Sequence, residues 1–280
     1  MSKLEGAQLA EQYEGEALLY PHWMEPKLDG LRGIALVRGQ AVNFISRNGK
    51  PYYNTEAVAG DLVHMTAGKL NGVFDGELFY KDWNTTAHIC RSEKRVVEAD
   101  DLTFIIFDVL TREQWDAGNS AVPLRVRRAM LEELLRIAQP NLLLSSYKEV
   151  STPQQVMDTA REYVKAGYEG GMLKDPEAGY RRRRWGAWRK VKFTKDFDVP
   201  IIGVELGEGR LKDALGALVL DFNGVETKVG TGLTDAERAR LLTLHQQGNL
   251  IGKTVQVAVQ EITADGKFRF PSYMRLREDK

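Results

Sequence analysis

A chain of 280 residues with 43% hydrophobic and 28% charged side chains has the composition of a folded globular protein long enough for two modest domains, which excludes disordered and fibrous classes. Lysine plus arginine balances aspartate plus glutamate at 39 each, so net charge announces no nucleic-acid partner and any such site must be a local patch. One cysteine, Cys90, excludes an intramolecular disulfide and a multi-cysteine zinc site, and no apolar run is long enough to span a membrane, so a cytoplasmic protein is expected.

After a short helical opening, Trp23 to Val37 alternates as two strands joined through Lys27-Leu28-Asp29-Gly30-Leu31-Arg32-Gly33, which places Lys27 in the loop between them. Val42 to Arg47 reads as a strand ended by the turn formers Asn48-Gly49-Lys50-Pro51, and Glu56 to Leu70 as a helix. Val73 to Tyr80 and Leu102 to Val109 have the apolar density of buried strands, with a polar connection between them. Pro123 opens a helix running to Ala138, and a second runs from Thr152 to Ala166, with Thr152 or Ser151 as its N-cap and Gly167 as its stop. Gly170 to Lys174 and Ala187 to Phe193 are expected strands on either side of a basic loop. From Val199 onward, short strands at Ile201 to Leu206, Ala217 to Phe222, Glu226 to Val229 and Thr254 to Ile262, with a helix near Asp235 to His245, suit a small Greek-key barrel such as an OB-fold. A linker is expected around Lys195 to Pro200.

Several side chains carry chemistry. A lysine attacks only as the neutral amine, a form that neighbouring cations favour, and Arg32 is one such neighbour of Lys27. Gly30 and Gly33 would let the backbone approach a bulky ligand. In Phe74-Asp75-Gly76-Glu77 the last carboxylate could accept hydrogen bonds from ribose hydroxyls, although a surface hairpin explains the motif equally when it stands alone. Phe107, next to Asp108 at a strand end, could stack on a purine, against the ordinary reading of an apolar-strand phenylalanine as core. Glu169 has the oxygen chemistry for magnesium, and Lys190 and Lys192 share one face of a strand, as a phosphate pocket requires. The run Arg181, Arg182, Arg183, Arg184 would be a solvated loop by default, but its place just ahead of those lysines favours contact with phosphates, which the resemblance given below makes those of a DNA backbone. His22, His64, His88 and His245 are scattered and form no site, and packing is the default for Trp83, Trp185 and Trp188.

Taken in order, Lys27-Leu28-Asp29-Gly30-Leu31-Arg32, Ser46-Arg47-Asn48-Gly49, Asp75-Gly76-Glu77, Phe107-Asp108, Glu169 with Lys174, and Lys190 with Lys192 resemble the motifs of the covalent nucleotidyltransferases. Gly170 to Pro176 with Tyr180, and Phe270-Pro271-Ser272-Tyr273 flanked by Arg269 and Arg275, narrow the resemblance to the short, phage-type ATP-dependent DNA ligases. The match runs from about Trp23 to Arg277. It implies an α+β chain: a nucleotidyltransferase (adenylation) domain of antiparallel sheets with flanking helices over residues 1–196, then an OB-fold β-barrel over 197–280. It also implies ATP and magnesium, with manganese as a substitute, and a monomer acting on nicked duplex DNA away from membranes.

The resemblance further implies roles for particular residues. Lys27 would become adenylated. Glu25, Arg32, Glu77, Phe107, Lys190 and Lys192 would bind the nucleotide, with Arg32 and Glu77 on phosphate and ribose, Phe107 on adenine and the two lysines on the α-phosphate. Glu169 would place the metal, with Glu77 as a second candidate. Arg47 would meet either the 5′-phosphate of the nicked strand or the ribose side of the nucleotide, and both readings stand. Arg269 and Arg275 would reach the triphosphate. The residues ahead of Lys27 are too few for the helical DNA-binding domain of larger ligases, so the two core domains and their loops would hold DNA. RNA ligase and RNA capping guanylyltransferase use the same lysine chemistry and are the nearest rivals. A noncatalytic nucleic-acid-binding OB protein is the rival from another class, whereas an NAD-dependent ligase lacks support because one cysteine cannot supply that family's zinc motif.

Overall fold

A computed structural model describes residues 6–263 and 265–277, which fall into two compact units, Met1–Val191 and Lys192–Lys280. The first unit runs β1 (Leu9–Gln12), β2 (His22–Pro26), β3 (Leu31–Arg38), β4 (Ala41–Ser46), α1 (Glu56–Met65), β5 (Asn71–Phe79), α2 (Trp83–Arg91), β6 (Thr103–Thr111), α3 (Arg112–Asp116), β7 (Asn119–Ser120), α4 (Leu124–Leu134), β8 (Leu142–Leu144), β9 (Lys148–Val150), α5 (Pro153–Lys165), β10 (Gly170–Lys174), β11 (Tyr180–Arg181) and β12 (Arg184–Lys192). Its strands form two five-stranded sheets, β1-β12-β10-β2-β9 and β4-β3-β5-β6-β8, with a small β11-β7 pair beside them. The strands flanking Lys27 therefore belong to different sheets: β2 lies in the first and β3 in the second. Lys27 sits where the chain crosses between them.

The second sheet is covered on both faces, which is why β5 and β6 read as apolar runs rather than alternating ones. One face, carrying Phe74, Leu78, Phe104 and Ile106, packs on Val58 and Leu62 of α1, Ile89 of α2 and Leu131 of α4. The other, carrying Ile34, Val73, Phe107 and Leu110, meets Ala187 and Trp188 of β12. Because strand side chains alternate, Asp75 and Glu77 share the Val73 face of β5 and point toward the first sheet. The β5–β6 ladder pairs Asp75 with Asp108 and then Gly76 with Ile106, so Phe107 is the extra residue of a β-bulge. Such bulges re-aim side chains, and this one turns Phe107 onto the inter-sheet face.

Four expectations are corrected in this unit. The sheets are not wholly antiparallel: β6 pairs with β8 and β1 with β12 in parallel, since long crossovers join those strands. The polar connection before β6 contains α2, opened by Asp82, whose side chain accepts from Thr85 N–H. Helix α1 stops at Met65 because Ala67 and Gly68 take left-handed φ of 51° and 63°. From Leu9 the opening is strand rather than helix, and residues 1–5 of that segment lie outside the described residues.

The second unit comprises β13 (Lys195–Leu206), β14 (Leu215–Phe222), β15 (Val225–Val229), α6 (Asp235–Gln246), β16 (Thr254–Val259), β17 (Glu261–Ile262), β18 (Phe268–Arg269) and β19 (Ser272–Leu276), with sheet order β15-β14-β13-β16-β19. The expected linker at Lys195 to Pro200 is instead the first half of β13. It pairs residue for residue with β16, while the second half pairs with β14. One long strand thus serves both halves of the sheet, as the expected OB architecture requires, and no ladder among the described residues joins β15 to β19. Asn223 and Gly224, both at positive φ, make the tight β14–β15 turn. Leu241 of α6 closes one end of a core built from Val199, Leu218, Val229, Val255 and Val257.

Candidate active site

The Lys27 loop is fastened from both sides. Lys27 N–H donates to the Gly170 carbonyl at 2.9 Å and Glu169 N–H donates to the Lys27 carbonyl at 3.0 Å, so the loop and the start of β10 act as one backbone element. The Lys27 ammonium forms an ion pair with the Glu169 carboxylate. Gly30 is required here for a reason unlike the expected one. A Cβ at that position would lie 2.3 Å from the Leu78 carbonyl oxygen and 2.9 Å from Glu77 Cγ, so the close approach is to β5 rather than to a ligand.

Glu77 stands directly across the β3–β5 ladder from Arg32. Desolvation pushes its carboxyl up to about 7, opposed by the charges of Arg32 and Lys27 and by the Gly30 N–H, and reinforced by the negative charge of Glu169. Lys190 on β12 is held below the ordinary lysine range by partial burial first and then by Arg184, Lys27 and Arg47, with Glu169 pulling the other way. Lys27, Glu77, Glu169, Lys190 and the exposed Arg47 therefore feel one another's charge. Lys192 is placed differently. As the first residue of the second unit, it donates to Gln260 at 2.9 Å.

Beneath this surface lies a layer of buried ion pairs. Arg32 grips Asp75 with both arms (Nε–Oδ1 2.5 Å, Nη2–Oδ2 2.6 Å), which raises its affinity for its proton against the cost of burial. Lys174 donates to Glu25 Oε2 at 2.8 Å, an oxygen that also accepts from Ser145 Oγ at 2.8 Å. Arg127 holds Asp108 at 2.6 and 2.8 Å. Asp75 and Asp108 are opposite each other in the ladder, a destabilising juxtaposition that their separate arginines neutralise. Phe107, only 8% exposed, has Lys174 Nζ 4.2 Å and the Arg32 guanidinium 4.6 Å from its ring centre, and packs edge-on to Trp188. The structure thus gathers Lys27, Glu77, Glu169 and Lys190 with Arg32 and Phe107 just below, and places Glu25 in the buried layer. Sequence reasoning passed over Asp75 and Arg127. The available sign was an acid inside an apolar strand, which must find a buried cation.

The four arginines do not behave as one patch. Arg182 turns inward, its guanidinium 4.1 Å from the Trp115 ring centre and donating to the Trp115 carbonyl at 3.1 Å. Arg184 begins β12 and donates to the Ala10 carbonyl. Arg181 lies over Trp185 at 4.2 Å, and Arg183 is exposed. In the second unit, Arg269 pairs with Glu261 and Arg275 donates to Gln256.

The model of the ATP-dependent DNA ligase domain matches residues 8–192, and that of the DNA ligase OB-like domain matches 206–277. A DNA ligase of Archaeoglobus fulgidus is 30% identical over 98% of this chain and 55% of its own length. DNA ligase 2 of Haloquadratum walsbyi is 28% identical over 92% and 46%. The chain thus spans about half the length of these curated relatives. A solved Lig E DNA ligase superposes with a TM-score of 0.78 at 25% identity, covering 98% of this chain and 100% of that one. The ATP-dependent DNA ligase of bacteriophage T7, at 20% identity and a TM-score of 0.60, covers 97% and 98% and shares the fold. Among the described residues, no helix is long and apolar enough to cross a membrane.

Proposed function

The chain belongs to the ATP-dependent DNA ligase family, and on that premise we propose that it seals 5′-phosphate/3′-hydroxyl nicks in duplex DNA through a covalent Lys27–AMP intermediate. The observation that carries this reading is the Lys27 amine, fixed in its loop beside Glu169 and within the field of Glu77 and Lys190. Lys27 leaves Glu169, its ammonium loses one proton to solvent, and the neutral amine attacks the α-phosphorus of ATP. A P–N bond forms, the P–O bond to pyrophosphate breaks, and the amine gives up a proton. Lys190, on the same strand as Lys192, faces the negative charge that builds on the α-phosphate, so catalysis is chiefly positioning and charge neutralisation. Lys27 is then released with its proton restored as an oxygen of the DNA 5′-phosphate takes the AMP. The 3′-hydroxyl displaces AMP from that phosphate and closes the strand.

Glu77 provides the ribose acceptor on its strand face, and Phe107 meets the base with whatever ring edge its packing leaves accessible. Glu77 and Glu169 also suit a divalent cation, proposed as magnesium with manganese able to substitute, because each carboxylate crowds the other with like charge. When bound, it would neutralise the leaving pyrophosphate. Arg47 and Arg183 are proposed to meet DNA phosphates, and the protein is proposed to act as a cytoplasmic monomer. Incubation with labelled ATP or GTP, followed by sealing of nicked DNA and nicked RNA duplexes, tests the assignment. Lys27→Ala is expected to abolish the acid-labile adduct, and an adduct surviving that substitution would refute the nucleophile. A preference for GTP or RNA nicks would transfer the reading to the rival enzymes.

A further inference from the structure

Arg32 is held from behind by a closed circuit of hydrogen bonds. Besides gripping Asp75, its Nη2 reaches the Gln8 carbonyl at 3.4 Å. The Tyr180 hydroxyl donates to Asp75 Oδ2 at 2.6 Å and accepts from the Gln8 backbone N–H at 3.0 Å, so the path returns to the residue where it began. Asp75, Tyr180 and Gln8 are each 0% exposed. The Tyr180 ring packs edge-on against Trp188, 5.9 Å away, and tilted against Trp115 at 6.5 Å, which fixes the ring plane. Burial raises the phenol well above its ordinary value, so it remains a donor.

Stability alone does not account for this circuit. A buried charge network is often no more stabilising than well-packed apolar residues, and its best-attested use is to impose one geometry. Among the described residues, the circuit also keeps a buried donor, Gln8 Nε2, without a partner, which apolar packing would avoid. Its members come from β3, β5, β11 and the segment before β1, and Gln8 Oε1 accepts from Arg181 N–H at 2.7 Å. The first residue of the arginine run is therefore tied to the same hub.

We propose that Tyr180 is a positioning residue for Arg32: its hydroxyl, braced by Gln8, fixes the plane of the Asp75 carboxylate and so aims the remaining edge of the guanidinium at the nucleotide. The proposal rests on the ligase reading, in which Arg32 meets ATP. Lys27–AMP formation is measured against ATP concentration for the wild type, Tyr180→Phe and Thr86→Val. Thr86→Val also deletes a buried hydroxyl, one that donates to the Asp82 carbonyl and accepts from the Tyr80 N–H in the first turn of α2, away from the site. Tyr180→Phe is expected to raise the KM for ATP by about tenfold with kcat nearly unchanged, the pattern of lost binding shared by ground and transition states, while Thr86→Val leaves KM alone. A wild-type KM in Tyr180→Phe, or an equal rise in Thr86→Val, overturns the proposal. Should Tyr180→Phe not fold, Asp75→Asn reads the same brace from the other side, and a wild-type KM there would leave Tyr180 nothing to position. Absence of any adduct in the wild type would sink the ligase reading itself, and with it this proposal, whereas an adduct with unchanged KM sinks the proposal alone.

Discussion

The two units differ in the ion pairs they bury, although both carry pairs at the surface, Arg95–Asp100 and Arg136–Glu133 among those of the first. In the first, Arg127–Asp108 and Lys174–Glu25 have side chains no more than 4% exposed. In the second, Arg210–Asp235 and Lys228–Glu205 are both about half or more exposed at the surface. Surface pairs are screened by water and salt and contribute little, whereas a buried charge that loses its partner is stranded in a medium that cannot solvate it. The first unit has concentrated its electrostatic risk beneath Lys27, where it determines where side chains point. The second sets these pairs at the surface and holds its buried Arg238 on the carbonyls of Leu215, Gly216 and Gly230 instead of on a carboxylate.

The sharpest test of that contrast is Asp108→Asn, which leaves Arg127 buried beside a neutral amide. It is expected to cost about 3–5 kcal/mol in denaturant unfolding, and a loss like that of a surface pair would erase the distinction. Glu77→Gln probes the same layer through pH. Glu77 titrates near 7 in the folded chain against an ordinary 4.5, so the native state retains a proton that the unfolded state has released, and stability falls as pH rises between those values. The variant should lack that decline and gain on the wild type from about pH 5 to 7 in thermal melts. Its Lys27–AMP formation should be impaired at every pH, whereas that of the wild type should rise through pH 7 as the ribose acceptor ionises.

A smaller effect separates two neighbours in the arginine run. Arg182→Ala should lower stability by about 1 kcal/mol through lost packing on Trp115. Arg183→Ala should leave the melt unchanged, weaken nick binding and reduce its salt slope by about 1. Identical behaviour of the two would return the run to a single solvated patch. The smallest expected effect is that of Arg210→Ala, whose melting midpoint should match the wild type.

Much of the site was legible because short motifs carry their own constraints. Lys27 between strands and Lys190 on the strand after the basic loop both follow from local pattern. What the pattern concealed was long-range. No periodicity announces that β2 and β3 enter different sheets, or that a bulge turns Phe107 onto the inter-sheet face. Asp75 was passed over because its neighbour Glu77 explained the motif, although an acid inside an apolar strand must either pair with a cation or hold its proton. Helix α2 was hidden by its Asn, Thr and His content, and only the Asp82 cap and the spacing of Thr86, Ala87 and Cys90 betray it. The linker was misplaced because Asp196, Asp198 and Pro200 look like loop residues. They occupy a strand whose partner lies more than fifty residues away.

The reciprocal hydrogen bonds between Lys27 and the Glu169–Gly170 segment bear on motion as well as position. The Lys27 and Glu169 amides should exchange slowly with deuterium, as core strands do, although they lie in connections where exchange is ordinarily fast. With the backbone immobilised, the search for an attack geometry is confined to the four torsions of one lysine side chain. The entropy of a mobile loop is surrendered when the protein folds, not each time it turns over.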